Sequence, residues 1–322
     1  MSYNEPKTRR MRLQRLATLV CFVASGEGHW AGFDCSEPRD GSDNLTIGQR
    51  ECSCGGTKRD TRPVRWIHVP KTGTQFGNTV FRAACDTLPP YAAMRAVPGE
   101  SLRHAPHKRV IPYFLDCFPN AVERCLLDGG IALAQGHHAL ESFAPQRVAY
   151  VTMLRDPFSR LVSSFHDDYH DCKKCRGTSL VEFARSSQTA AIYANFLLGR
   201  SSEELNASSA VAEATERLKK FAFVGIVERW ARAVCLYHSI FGGIPTNAEF
   251  MNTVRKSMKH NETSLADLSA ELRRDARYRH RRRSDPHDLS LVDDYIYQAA
   301  VVRFDADFRA YEARCKVPKY NK

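Results

Sequence analysis

Short apolar runs alternate with stretches of helical periodicity from about residue 64 to the end of the chain. Val64 to Val69 and Phe221 to Ile226 are typical of strands, and Ile131 to Ala134 is compatible with another. Val148 to Leu154 is a nearly unbroken apolar run, which indicates a strand covered on both faces. Because helical crossovers join parallel strands, this alternation predicts an α/β fold with a central parallel sheet and helices on both faces.

Several segments between these runs have the periodicity of helices. The first is Gln75 to Leu88, and another begins at Asp156-Pro157, where an N-cap residue and a first-turn proline favour a helix start. The apolar residues of this second helix predict its buried face: Phe158, Val162, Phe165 and Tyr169. Further helices are predicted from about Glu228 to Phe241 and from roughly Leu291 to Ala313.

The N-terminus has the pattern of a secretory leader. Basic residues precede a nine-residue, largely apolar run, Leu16 to Ala24, which Ser25-Gly26 follows. Such a run is shorter than the roughly 20 residues of a membrane span, so we expect a signal peptide; a short type II anchor and a disordered basic tail stay open. The predicted organisation is a leader, a stem, one folded domain and a tail: residues 1–26, 27–61, 62–316 and 317–322.

Composition supports a lumenal location and an anionic partner. Lys and Arg outnumber Asp and Glu by 47 to 36, which gives a formal net charge of +11 and favours polyanionic partners. The chain has 11 cysteines, and loss of Cys21 with the leader leaves an even number, as expected of disulfides in an oxidising compartment. Three glycosylation sequons point the same way: Asn44, Asn206 and Asn261.

The stretch WIHVPKTGTQF, residues 66 to 76, has the features of an anion-binding turn. It lies between a predicted strand and a predicted helix, where backbone N–H groups and the helix dipole favour an anion. Gly73 allows close approach of the backbone, Lys71 adds a charge, and Thr72 and Thr74 add hydroxyls. The chain contains no G-x-x-x-x-G-K-[ST], which disfavours an ATP or GTP P-loop. An ordinary turn with a surface lysine fits this stretch alone equally well.

A second stretch, YVTMLRDPFSRLVSSFHD, places Arg155 at the carboxyl end of a strand and Ser163 eight residues later on the helix that follows. Ligands of parallel sheets bind beyond this edge, and arginine gives bidentate contacts to phosphate. The two side chains are therefore candidates for a second anion site. A structural arginine and a surface serine remain the alternative.

These motifs resemble a known enzyme family. VPKTGTQF resembles the 5′-phosphosulfate loop of sulfotransferases that use 3′-phosphoadenosine 5′-phosphosulfate (PAPS), and LRDPFSRLVSS resembles their 3′-phosphate segment. FAFVGIVERW looks like the VG-x-x-E block of the Golgi carbohydrate branch, and the resemblance covers roughly residues 62 to 315. It implies the sulfotransferase fold, a P-loop-like three-layer sandwich, and a location in the Golgi lumen or membrane, with a single-pass type II anchor as one form.

The resemblance also implies the chemistry. The enzyme would move a sulfuryl group from PAPS to a hydroxyl of a glycan or polysaccharide, an anionic one given the basic charge, and would release adenosine 3′,5′-bisphosphate (PAP) without a metal or nucleic acid. Lys71 would neutralise the leaving bridging oxygen, and Arg155 with Ser163 would bind the 3′-phosphate. The rest of the donor loop would be Thr72, Gly73, Thr74, Gln75 and Phe76.

The catalytic base is predicted in LAQGHHALESF. This stretch looks like the G-H segment of uronosyl 2-O-sulfotransferases, in which histidine is the base. Gln135 stands at the first of their two histidine positions and His137 matches the second, while His138 has no clear counterpart. His137 is the first candidate, followed by His138, His68 and Glu141; a surface or core histidine is the alternative for any of them.

Two further clusters leave alternatives open. The arginine-rich run at residues 273 to 283 is either a solvated basic loop or a surface for an anionic glycan or the nucleotide. Cys172-x-x-Cys175, with Cys52 and Cys54, suits disulfides better than zinc in a lumenal chain. A catalytically inactive glycan-binding protein of the same fold is the second hypothesis for the whole chain, and a P-loop nucleotide kinase is the third.

Overall fold

The computed structural model describes residues 60–84, 139–184, 186–243, 245–250 and 289–315, together with Cys52 and His137. Several predictions concern parts of the chain that lie outside these residues. They are the leader, nearly all of the stem, the strand at residues 131 to 134, His138, the arginine-rich run and the tail.

Three parallel strands form the sheet among the described residues. They are β1 (Val64–Ile67), β2 (Ala149–Leu154) and β3 (Phe223–Ile226), in the order β1-β2-β3. β2 lies in the centre and all six of its residues are buried. Its unbroken apolar run therefore reflects burial on both faces, as predicted. The α/β class and the parallel sheet are thereby confirmed.

The helices follow the strands as the periodicity predicted. Helix α2 begins at Pro157, with the Asp156 carboxylate accepting a hydrogen bond from the N–H of Ser159 at 2.8 Å. A 3-10 turn, Val227–Arg229, precedes α6, so this helix begins slightly later than expected. The described α-helices are α1 (Phe76–Ala84), α2 (Pro157–His166), α3 (Leu180–Ala184), α4 (Ile192–Leu198), α5 (Ala207–Lys220), α6 (Trp230–Phe241), α7 (Asn247–Phe250) and α8 (Leu289–Cys315).

Two groups of helices surround the sheet. Helices α1, α6 and α7 contact one another, and α8 packs along α5, α4 and β3. The long helix α8 presents a buried stripe to this core: Val292, Ile296, Ala300, Phe304 and Tyr311. The arrangement is compatible with a three-layer sandwich. No helix among the described residues combines the length and the apolar character that crossing a membrane requires.

Helix α2 differs from its predicted burial. Of the expected apolar face only Val162 is fully buried, while Phe158, Phe165 and Tyr169 are half-buried against a small cluster around Leu180 and Phe183. Two polar residues of this helix, Arg160 and Ser164, are buried as well. Periodicity could not predict this, since Arg160 is buried through an ion pair rather than through apolar packing.

Two disulfides among the described residues confirm the prediction that cysteines of this chain form disulfides. Cys52, in the predicted stem, pairs with Cys235 of α6 across 183 positions of sequence. Cys172 and Cys175 pair with each other and close the turn that follows α2. Among the described residues, no group of three or more histidine, cysteine or carboxylate side chains is placed to hold a metal ion.

Candidate anion-binding site

The turn after β1 has an unusual backbone. Lys71 adopts a φ of +65° and Gly73 a φ of +92°, both in the left-handed region. This conformation is costly for a lysine and persists only where the surroundings impose it. The Thr72 hydroxyl helps to impose it, because it is buried and donates to the carbonyl of Val69 at 2.7 Å.

The turn leads into α1 and leaves donors at its start. The N–H groups of Gly73 and Thr74 have no acceptor within the part of the chain that the structure describes. The Thr74 hydroxyl lies 3.4 Å from Nε2 of His68. Together with the positive end of α1, these groups form a cradle suited to an anion.

Two residues of the predicted donor loop face the protein instead. The Phe76 ring is fully buried and stacks on Phe223 with ring centroids 5.3 Å apart, while its N–H donates to the carbonyl of Gly73 at 3.0 Å. The Thr72 hydroxyl is likewise used within the turn. In this structure both residues support the turn through contacts with the protein interior.

Trp230 sets the shape of the turn from the other side. A Cβ built on Gly73 would lie 2.7 Å from the indole ring, so only glycine fits at this position. The indole is itself fixed, because its Nε1 donates to the carbonyl of Glu249 at 2.6 Å. Residue 73 therefore needs glycine both for its backbone conformation and for space.

Arg155 lies directly after β2, at the sheet edge from which the Lys71 turn also emerges. Its backbone is fixed at both polar groups, since the Tyr193 hydroxyl donates to its carbonyl and its N–H lies 3.3 Å from the same oxygen. Glu228, of the VG-x-x-E block, accepts from the N–H of Asp156 and from the Tyr297 hydroxyl, each at 2.9 Å. This carboxylate thus links the ends of β2 and β3 to α8.

Ser163 lies in the last turn of α2, on the same face as Asp167, which ends the helix and donates its N–H to the Ser163 carbonyl at 3.2 Å. The Asp167 carboxylate forms an ion pair with the Lys71 ammonium at 2.9 Å. The C-terminal end of α2 is thereby held against the turn after β1. Arg155 precedes the start of α2, and a helix of this length spans about 15 Å.

The imidazoles of His68, His137 and His170 lie close together near Lys71. The ring of His137 lies 4.5 Å from that of His68 and 5.0 Å from that of His170, centroid to centroid. Nδ1 of His137 is 3.1 Å from the backbone carbonyl of His68. Because a carbonyl only accepts, Nδ1 carries the proton and Nε2 carries the lone pair of a neutral His137.

The electrostatics of the cluster keep the imidazoles neutral. Burial lowers the pKa of His68 well below its ordinary value, and the nearby His137 and Lys71 charges add to this. His137 is solvent-exposed on one side, but the protein packed around its ring desolvates it, which lowers its pKa as well. His170 also has a lowered pKa, chiefly through desolvation. Neutral His137 is therefore the prevailing form at pH 7.

The structure separates the candidates for the base. His68 is buried and stacks on Trp66 at 4.2 Å, and Glu141 is exposed, whereas His137 combines an accessible ring with a fixed tautomer. His138 lies outside the described residues. His170 was not among the predicted candidates. It follows α2 in sequence, and only the turn at Asp168 and Tyr169, both at positive φ, brings its ring beside that of His137.

A buried ionic network holds α2 against the rest of the protein, and the sequence pattern did not predict it. Arg160 pairs with Asp171 at 2.5 Å, with both side chains almost completely buried. Asp293 of α8 accepts a hydrogen bond from the N–H of Tyr193 at 2.8 Å, and its charge acts on Arg160. No local pattern signals this network, because Arg160 stands among serines as well as apolar residues and its partners lie outside α2.

Fold and site together define an α/β protein whose parallel strands end in a cationic cradle beside a cluster of imidazoles. Comparisons with protein-family models, with curated proteins and with solved structures found no match for this chain.

Proposed function

We propose that this protein is a sulfotransferase that uses PAPS to sulfate a hydroxyl of a carbohydrate. The observation that carries the proposal is the meeting of three groups at one sheet edge. They are the N–H donors of the turn at Gly73 and Thr74, the Lys71 ammonium, and the imidazole of His137.

The donor would lie along the carboxyl ends of β1 and β2. Its 5′-phosphosulfate would take the cradle at the start of α1, with Lys71 at the bridging oxygen between phosphorus and sulfur. Its 3′-phosphate would lie against Arg155 and Ser163. Arg155 follows β2 directly and β2 pairs with β1, which supports one ligand bridging both strand ends.

The transfer step needs no group beyond these. The acceptor hydroxyl oxygen attacks sulfur, a new S–O bond forms, and the bond from sulfur to the bridging oxygen breaks. The electron pair of that bond stays on the departing PAP, where Lys71 stabilises the negative charge. The hydroxyl proton passes to Nε2 of His137, since Nδ1 is already occupied by its bond to the His68 carbonyl.

A transfer assay tests this function. The full chain is incubated with ³⁵S-labelled PAPS and a panel of desulfated glycosaminoglycans, and labelled polysaccharide is counted. We expect the wild type to label at least one acceptor and Lys71→Ala to label none, while Arg155→Ala raises the KM for donor. Labelling by Lys71→Ala at the wild-type rate would contradict the role of the loop, and an unlabelled panel with wild type would contradict the activity.

A further inference from the structure

Asp167 forms an ion pair with Lys71, the cation that the proposed function assigns to the donor. Its carboxylate lies 2.9 Å from Nζ of Lys71, and the two side chains are about one third and one fifth exposed. Although burial acts in the opposite direction, the Lys71 charge and hydrogen bond hold the pKa of Asp167 below its ordinary value. The Asp167 carboxylate is therefore ionised at neutral pH.

Lys71 and Asp167 both belong to turns that contain unfavourable backbone conformations. Lys71 has a φ of +65°, and the residues that follow Asp167 also have positive φ values, +56° for Asp168 and +53° for Tyr169. Left-handed backbone at three non-glycine residues, on two turns that face each other, is uncommon. The fold thus holds the ammonium and the carboxylate opposite each other.

Helix energetics do not account for an aspartate here. Asp167 is the C-cap of α2, where the negative end of the helix dipole disfavours a carboxylate. Apolar packing does not require it either, because the Asp167 side chain is about one third exposed. What the residue does in this structure is bind Lys71.

We propose that Asp167 is a positioning residue that holds the Lys71 ammonium in the unliganded protein and that the donor's phosphosulfate must displace. This inference rests on the proposed function, because it assigns Lys71 to the donor. The carboxylate and the donor are both anions and compete for one ammonium, so the ion pair lowers the affinity for the nucleotide. In return it keeps the lysine side chain ordered and directed at the cradle.

The competition predicts a gain of affinity when the carboxylate is removed. Asp167→Asn is nearly isosteric and leaves Lys71 without its competitor. A partly exposed ion pair is weak, so we expect PAP to bind about two- to fivefold more tightly to this variant. Asp168→Asn is the matched control, because Asp168 is on the same turn and pairs with Lys173 and Arg176 rather than with Lys71.

A double-mutant cycle distinguishes competition from a general effect of charge. Removing any carboxylate near an anion site strengthens anion binding somewhat, whether or not it contacts Lys71. If Asp167 acts through Lys71, Asp167→Asn has no effect on PAP affinity in a Lys71→Met background. A gain of the same size in both backgrounds would show a field effect and overturn the proposal.

The measurement is titration calorimetry with PAP on five folded proteins: wild type, Asp167→Asn, Lys71→Met, the double variant and the control Asp168→Asn. Their melting temperatures establish that each is folded. Tighter binding by Asp167→Asn, with no such gain in the Lys71→Met background and a smaller gain or none in Asp168→Asn, supports the inference. Unchanged or weaker binding by Asp167→Asn, with PAP binding intact in wild type, overturns this inference and leaves the sulfotransferase proposal in place. Absence of PAP binding to wild type overturns both.

Discussion

At the scale of single residues, the site depends on backbone conformations that most side chains avoid. Lys71 and Gly73 both occupy the left-handed region, and the ring of Trp230 leaves no room for a Cβ at residue 73. The Thr72 hydroxyl and the Trp230 indole hold this turn through their own hydrogen bonds. The cradle is thus pre-formed, which spares the ligand the cost of ordering it.

Gly73→Ala should distort the cradle. The new Cβ would meet the Trp230 ring and adopt an unfavourable φ, so we expect a loss of about 1–3 kcal/mol in the free energy of unfolding, together with weaker PAP binding. Gly177→Ala is the control, since Gly177 also has a positive φ but nothing lies within 4 Å of its Cβ position. Chemical denaturation and calorimetry measure both effects. Equal PAP affinity of Gly73→Ala and wild type would contradict a pre-formed cradle.

His137→Ala should remove the base while leaving the donor site intact. We expect kcat to fall by about 10²- to 10⁴-fold with PAP affinity unchanged. The proposed base is the neutral imidazole, and desolvation lowers the pKa of His137. The acid limb of the kcat profile should therefore lie below the ordinary histidine value of about 6.5. A limb above that value, or one that persists in His137→Ala, would assign the base to another residue.

The sequence could predict the parts of the site that depend on neighbours along the chain. Arg155 follows β2 directly, and Lys71 and Gly73 lie in the short turn between β1 and α1, so the local sequence was enough to place all three at the carboxyl ends of strands. The imidazole cluster depends instead on residues far apart, with 69 positions between His68 and His137. Asp167 and His170 flank a turn in which Asp168 and Tyr169 have positive φ values. Neither residue type indicates such a backbone conformation from sequence, so the position of this turn was not predictable.

At the scale of elements, the strands and helices were predictable because apolar periodicity reports burial against a sheet. Helix α2 is the exception, since its buried side includes Arg160, whose charge is matched by Asp171 within the turn that follows. The third member of this network is Asp293 on α8, and 100 positions separate it from Tyr193, its hydrogen-bond donor. Periodicity contains no information about such a pairing.

Asp293 makes the docking of α8 sensitive to pH. Burial raises its pKa to about 7, although the Arg160 charge acts in the other direction. The folded state therefore retains a proton that the unfolded state loses near pH 4, so this residue's contribution to stability declines as pH rises from about 4 to about 7 and is lost above that. Asp293→Asn, which keeps the acceptor for the Tyr193 N–H, should gain on wild type by on the order of 2 kcal/mol between pH 5 and pH 8.

Urea denaturation of both proteins across this range measures the effect. The other ionisable groups are common to the two proteins, so their contributions cancel in the difference. A constant difference in the free energy of unfolding from pH 5 to pH 8 would show that Asp293 does not titrate there.

At the scale of the whole molecule, a disulfide among the described residues ties the predicted stem to the core. The bond between Cys52 and Cys235 spans 183 positions and joins the stem to α6, which packs against β3 and α1. The sequence predicted disulfides from the cysteine number and the leader, but connectivity is a property of the folded chain. Cross-links that close long loops restrict the unfolded state most.

Loss of this link should lower global stability. We expect Cys52→Ser with Cys235→Ser to lose about 2–5 kcal/mol in the free energy of unfolding. The double variant Cys172→Ser with Cys175→Ser is the control, because that disulfide closes a loop only three positions long and constrains the unfolded chain less. Thermal unfolding of the two variants gives the comparison. A larger loss in the short-loop variant would place the main covalent support at the turn after α2.

We propose that one nucleotide is held at both ends, by the Lys71 turn after β1 and by Arg155 with Ser163 after β2. Titration calorimetry with PAP and with adenosine 5′-monophosphate tests it most directly, because the two ligands differ only in the 3′-phosphate. A charge-assisted contact to that phosphate should make PAP bind about 10- to 100-fold more tightly, and Arg155→Ala should abolish most of the difference. Equal affinity for the two ligands, or a preference that survives in Arg155→Ala, would contradict the account.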